Sequence, residues 1–243
     1  MTALLRAELL KLRTTRTFVA LVVASLALSL LVVCLTAALG SDFSEADVRD
    51  LFTADFSGIF ILLLGVIGMA GEWRHRTITS TVLAAPDRWR LLAAKTLSYA
   101  VAGIVLSLIV TVSIMAVGTL ILSARGETTI GLGDLADVLW RNLVSAGVAG
   151  AIGVCVGGLL RSQVVGIVGL LILAFVVEPA VIGLAPDVGR FGPTQGAPNG
   201  LLGTNPFGGA QLLAPGIALL VMLAWVGIGF VSTGALLRRR DLV

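Results

Sequence analysis

The sequence predicts an all-α membrane protein: six transmembrane helices, both termini cytoplasmic, an N-terminal interfacial amphipathic helix and a re-entrant outer-face segment before the last span. Three observations carry this reading. Of the 243 residues, 57% are apolar and 13% charged, against about 45–50% and about 25% in a soluble domain. The apolar residues fall in long uncharged runs; Phe18–Leu39 alone has 22 residues, roughly 33 Å as a helix, enough to cross a hydrocarbon core of about 30 Å. The basic residues alternate in density from one loop to the next, as they do when positive loops stay cytoplasmic.

Taken in order, residues 1–17 place Leu4, Leu5, Leu9 and Leu12 on one helical stripe with Arg6, Lys11 and Arg13 away from it, an amphipathic helix for the cytoplasmic interface. The first span, Phe18–Leu39, is too long for the 7–15-residue apolar core of a secretory signal, so it is kept as a span. Phe56–Gly71 follows and is the shortest and weakest of the six. Leu97–Ser123, Asn142–Leu160, Val164–Leu184 and Gly216–Leu237 complete the set. Runs this long and unbroken must be helical, because lipid offers no partner for an unpaired backbone group.

With the N-terminus inside, thirteen of the 17 basic residues are cytoplasmic and only Arg49, Arg125, Arg141 and Arg190 face outward. The acids run the other way, with Glu8, Glu72, Asp87 and Asp241 inside and the other ten outside or near the outer face. The net charge of +3 therefore reflects contact with anionic headgroups and gives no reason to expect nucleic acid. The chain reads as one transmembrane domain, residues 1–243, in which 72–96 is the longest cytoplasmic loop and 185–215 an outer-face segment rich in Gly and Pro. Fifteen arginines against two lysines fit a GC-rich bacterial genome and a bacterial cell membrane.

Several functions are excluded. A phosphate-binding loop needs lysine after glycine, but Lys11 follows Leu10 and Lys95 follows Ala94. A Ser–His–Asp site would depend on His75, the only histidine, in a run of arginines. Cys34 and Cys155 lie inside apolar runs and read as small hydrophobes. No cofactor or metal is expected in this chain.

The loop from Gly71 to Leu97 is built rather than floppy. Thr77 to Leu83 can form a short helix that breaks at Pro86, and Asp87 is placed to cap a new helix through Trp89, Leu91 and Leu92 into the third span. An acid closes the second span, followed by basic residues, a Thr-rich segment, then Pro, Arg and Lys: here Glu72, Arg74, Arg76, Thr77, Pro86, Arg88 and Lys95. Together with six spans, inside termini and the interfacial helix, this resembles the membrane (permease) subunit of a type-2 ATP-binding-cassette exporter over the whole chain. The resemblance implies that two permease subunits, a homodimer of this chain, pair around the substrate pathway. It implies that the loop couples to a separate cytoplasmic ATPase subunit, which binds the ATP and Mg. Glu72 with Arg74 or Arg76 is then expected to hold the loop to its span, with Thr77, Pro86 and Arg88 in the docking element. The alternative is a stand-alone secondary carrier or channel.

At the outer face, Phe191 to Leu237 is uncharged over 47 residues, more than twice what the last span needs, and six of the seven prolines lie between Pro179 and Pro215. An exposed loop ordinarily carries charge, so this stretch is expected to dip into the outer leaflet against protein. Glu178 lies 14 residues along the fifth span, about 21 Å up it. An acid there is costly unless paired or wetted, which leaves two readings: a pathway residue that lines the exit or meets a cationic group, or a structural acid neutralised by Arg190. Gly147, Gly150, Gly153, Gly157 and Gly158 permit close helix approach, within the bundle or at a subunit interface.

Overall fold

The computed structural model describes residues 2–74, 87–205 and 211–239. Among these, the regular structure is helical and six segments are long and apolar enough to cross a membrane. Helix α1 (Thr2–Thr14) lies ahead of α2 (Arg16–Leu39), and extended backbone at Thr15 makes the corner between them. The first span shows how the solvent reverses the usual pattern. Its buried stripe is Ser25, Ser29, Val33 and Ala37, while Val23, Leu31 and Leu35 are at least half exposed, as expected where lipid surrounds the bundle and small residues let helices approach.

The weak second span is explained by a break. Helix α3 (Glu45–Phe52) opens on a capping box, in which Ser44 Oγ accepts from Asp47 N–H while Ser44 N–H donates to the Asp47 carboxylate. After the turn at Thr53–Phe56, α4 (Ser57–Arg74) continues, and together they make one broken span, Glu45–Arg74. Four charges in Glu45–Asp50 hide α3 from a hydropathy reading. The fold places one of them, Arg49, against Asp134, at 3.1 Å, and Asp137.

The third span is one helix, α5 (Arg88–Ala124), of 37 residues, and starts nine residues before the apolar stretch. The fourth, α6 (Leu132–Leu160), starts ten residues before the expected Asn142. It is the most enclosed helix, with 61% of its apolar window buried. Its glycines account for this. A Cβ on Gly153 would stand 2.2 Å from Leu62 O, and one on Gly150 would stand 2.4 Å from Tyr99 O. The small-residue face is therefore spent inside the bundle, on α4 and α5 and, at Gly158, on Thr233 of the last helix.

The fifth span is α7 (Gln163–Ile172), a π-helical turn at 173–177 and α8 (Glu178–Leu184). Pro179 has no N–H to offer the carbonyl one turn back, and the ladder slips by one, with Glu178 N–H donating to Leu173 O. Short helices α9 (Pro186–Gly189) and α10 (Gly196–Leu202) follow, then α11 (Pro215–Arg239). Helix α10 is not a surface loop. Ala197 and Leu201 are fully buried in one cluster with Ile152, Ala218 and Met222, and Arg141 of α6 donates to Leu201 O at 2.9 Å.

Candidate functional site

The end of the bundle that carries α1 and the 72–96 loop, here the loop end, holds a buried ionic cluster. Asp87 starts α5 by accepting from Trp89 N–H (3.1 Å) and Arg90 N–H (3.2 Å), the N-cap expected from the sequence. The helix then carries Lys95 inward by about 10 Å, to a position where its side chain is 2% exposed. Its Nζ donates to Glu8 Oε2 at 2.6 Å and to Glu72 Oε1 at 2.8 Å. Lys11 closes the group from the rim, 2.8 Å from Glu8 and 3.4 Å from Glu72. Two carboxylates and two ammonium groups thus alternate with no net charge. That is the condition for burying charge, since an unpaired ion at such a site is prohibitive. Burial pushes the Glu8 carboxyl up, but Lys95 and Lys11 outweigh it and hold it below its ordinary value.

This arrangement adds partners that the sequence did not name. Glu72 is joined to Lys95 and Lys11, and Arg74 crosses to Gln163 Oε1 at 3.2 Å. Arg76, Thr77 and Pro86 lie outside the described residues. Arg88 donates to Leu237 O of the last helix, and next to it the Trp89 ring packs on Phe230 with centroids 5.6 Å apart. On the other flank the Arg161 guanidinium sits 4.1 Å over the Trp73 ring. Both ends of the loop are therefore fixed: the first to α1, α5 and the start of α7, the second to α1, α4 and α11. Sequence reasoning missed Glu8. The clue was an acid four residues before Leu12 on the apolar face of α1, a face that buries Glu8 (4% exposed) and Leu12 (5%) while Leu10 stays 62% exposed.

At the far end the structure gives Glu178 partners that neither sequence reading named. Its carboxylate accepts from Thr194 N–H (2.9 Å), Thr194 Oγ1 (2.7 Å), Gln195 N–H (2.7 Å) and Gly196 N–H (3.2 Å). It thereby fastens the segment leading into α10 to the fifth span. Arg190 pairs with Asp187 at 3.5 Å.

A second polar group at the break of the second span also went unread. Asp55 accepts from Ser107 Oγ, from Thr111 Oγ1 (2.9 Å) and from Ser57 N–H (2.7 Å). Asn142 donates to Thr111 Oγ1 (3.1 Å) and Phe52 O (3.0 Å), and Ser29 Oγ accepts from Phe56 N–H. Ser107 and Thr111 lie roughly 28–35 Å along a helix about 55 Å long, so this carboxylate sits near mid-bundle.

A family model described as ABC-2 family transporter protein matches residues 4–177 of the chain. No curated protein matches it. The matched stretch contains the whole ionic cluster, Glu8, Lys11, Glu72 and Lys95, and the Asp55 group.

Proposed function

We propose, from the premise that this chain belongs to the ABC-2 transporter family, a multi-pass membrane family that works with an ATP-binding partner, that it is the permease half of an exporter. In this reading two copies form the substrate pathway in a bacterial cell membrane, with both termini cytoplasmic. The residue 72–96 loop docks on a separate cytoplasmic ATPase, which binds ATP and Mg, and Glu72, Arg74, Arg76, Thr77, Pro86 and Arg88 form the coupling element and its anchors.

The observation that carries this is the Glu8–Lys95–Glu72 cluster. A push on a loop does work on a membrane bundle only if the ends of the loop do not yield. Here the end of α4 and the start of α5 are clamped to each other and to α1 by buried ion pairs, whose rupture leaves a charge stranded. Closure of two ATPase subunits would therefore move α1, α4 and α5 together, and the 37 residues of α5 would carry the displacement to the far end. The far-end segment, packed on α6 and α11 and tied to Glu178, supports re-entry into the outer leaflet.

The test is a tagged chain purified from its native membrane. An ATPase with a phosphate-binding loop should accompany it, and a Glu72→Ala, Arg76→Ala pair, compared at equal amounts of assembled complex, should lose ATPase stimulation and transport. Undiminished coupling in that pair sinks the coupling role. One observation favours the alternative of a stand-alone carrier: Asp55 is an ionisable group at mid-bundle, the usual place for a coupling-ion site. Proton-driven uptake by the chain alone would establish that reading.

A further inference from the structure

The break in the second span opens on a cavity of about 460 Å³ that reaches from the mid-bundle Asp55 to the far-end segment before the last span. It is walled by the α3–α4 turn, by α6, by the π turn of the fifth span, by the α10 segment and by α11. That volume lies within the usual range for small-molecule sites, about 300–1,000 Å³. Its composition is one-sided. Asp50 and Asp55 both line it, and among the described residues no Lys, Arg or His does. Asp55 is half-buried and lines the space, and the Ser107, Thr111 and Ser57 donors hold its carboxylate in one orientation. The lining also includes Phe56, beside Asp55 on the same turn, and Phe175 and Met222 from the fifth and last spans. Phe175 belongs to the π turn produced by Pro179, and this irregularity in the fifth span therefore contributes an aromatic ring to the cavity.

An acid at this depth is expensive unless a positive charge or water meets it, and the surrounding donors are neutral hydroxyl and amide groups. An ammonium group on Asp55 supplies the missing charge. Aromatic faces and a thioether suit the apolar body of the same molecule, because ring faces attract cations and methionine adapts to irregular shapes. We infer that this cavity binds an amphipathic organic cation, its charge on Asp55 with Asp50 at the entrance and its apolar body on Phe56, Phe175 and Met222. The inference deepens the exporter reading by naming a cargo class, and it rests on that reading only for the fate of the bound molecule.

The test is equilibrium binding to the full chain in phosphatidylcholine nanodiscs, with empty discs subtracted. The probes are rhodamine 6G, a cation, and rhodamine B, a zwitterion of similar ring system. Rhodamine 6G should bind saturably and rhodamine B much more weakly. Asp55→Asn should weaken rhodamine 6G binding by about tenfold or more, the size of one lost charge contact, and Asp187→Asn, a substitution outside the cavity, should leave it unchanged. If Asp55→Asn does not fold, Asp50→Asn and Phe175→Ala, at exposed positions, decide the matter, and each should weaken binding severalfold. Equal binding of the two dyes, or wild-type binding in the cavity variants, overturns the inference. The readout needs no ATPase, so a failure of loop coupling leaves it intact. Conversely, absent dye binding beside an intact nucleotide response removes this site and leaves the permease reading standing.

Discussion

Replacing Lys95 by methionine removes the central ammonium from the loop-end cluster at nearly constant length. In the native protein that group is 2.6 Å from Glu8 and 2.8 Å from Glu72, whose side chains are 5% and 9% exposed. Without it, Lys11 faces both carboxylates, 2.8 and 3.4 Å away, from a side chain that is 54% exposed. The least costly response is for one carboxyl to take a proton. For a glutamate of ordinary pKa about 4.3 at pH 7, at about 1.36 kcal/mol per unit, this costs about 3.7 kcal/mol, within the roughly 3–5 kcal/mol typical of breaking a buried pair by removing one partner. Lys95→Met should therefore destabilise the protein by about 3–4 kcal/mol. Adding Glu72→Gln should restore roughly half of that loss, since the Glu8 carboxylate and the Lys11 ammonium then remain as a pair. The assay is SDS-induced unfolding in mixed micelles followed by tryptophan fluorescence, with hydrogen exchange over residues 2–14 reporting release of α1. A Lys95→Met variant no less stable than a neutral surface substitution, within about 0.5 kcal/mol of wild type, refutes this account of the cluster. So does a double variant no more stable than the single.

Three further outcomes follow from the same geometry. Because the folded-state pKa of Glu8 is held below its ordinary value, its contribution is complete above the ordinary glutamate range. It is lost as pH falls through the lowered value. Protection of α1 should thus be flat from pH 8 to 5 and fall in more acidic buffer, and Glu8→Gln should remove that dependence. Glu178→Gln replaces one acceptor oxygen by a donor amide facing the N–H groups of residues 194–196, and should cost about 2–3 kcal/mol, read as faster exchange across 194–202 with the loop end unaffected. Gly153→Ala puts a methyl 2.2 Å from Leu62 O and should cost about 1–3 kcal/mol by prising α6 from α4, measured in the same unfolding assay.

The membrane-spanning architecture was legible because lipid allows few alternatives: an uncharged run of sufficient length has to be a helix, and each of the six runs lies within a spanning segment. What escaped the sequence was whatever depends on partners distant along the chain. Helix α3 looks too charged for a span because Asp134, one partner of Arg49, is 85 positions away and Asp137, the other, is further still. The same blindness places the start of α6 at Asn142, when its first turns carry those two acids. Lys95 was legible as the last residue of a family pattern, yet its bond to Glu8 spans 87 positions, and a pattern of apolar stripes counts Glu8 as surface. Glu178 was singled out by its position along the fifth span, and it is buried. Its backbone donors at Thr194–Gly196 were invisible because amides carry no sequence signature. Asp55 sat in plain view before the second span, but its hydroxyl partners, Ser107 and Thr111, read as ordinary small polar residues inside an apolar helix.

The claim on which the rest depends is that the bundle does no work of its own. It is tested most directly in proteoliposomes holding either the chain alone or the chain with the ATPase that purifies beside it, loaded with a panel of labelled amphipathic molecules, cationic and neutral. Movement against a gradient should require the ATPase together with ATP and Mg. Accumulation by the chain alone, driven by a proton gradient or by none, would contradict the account.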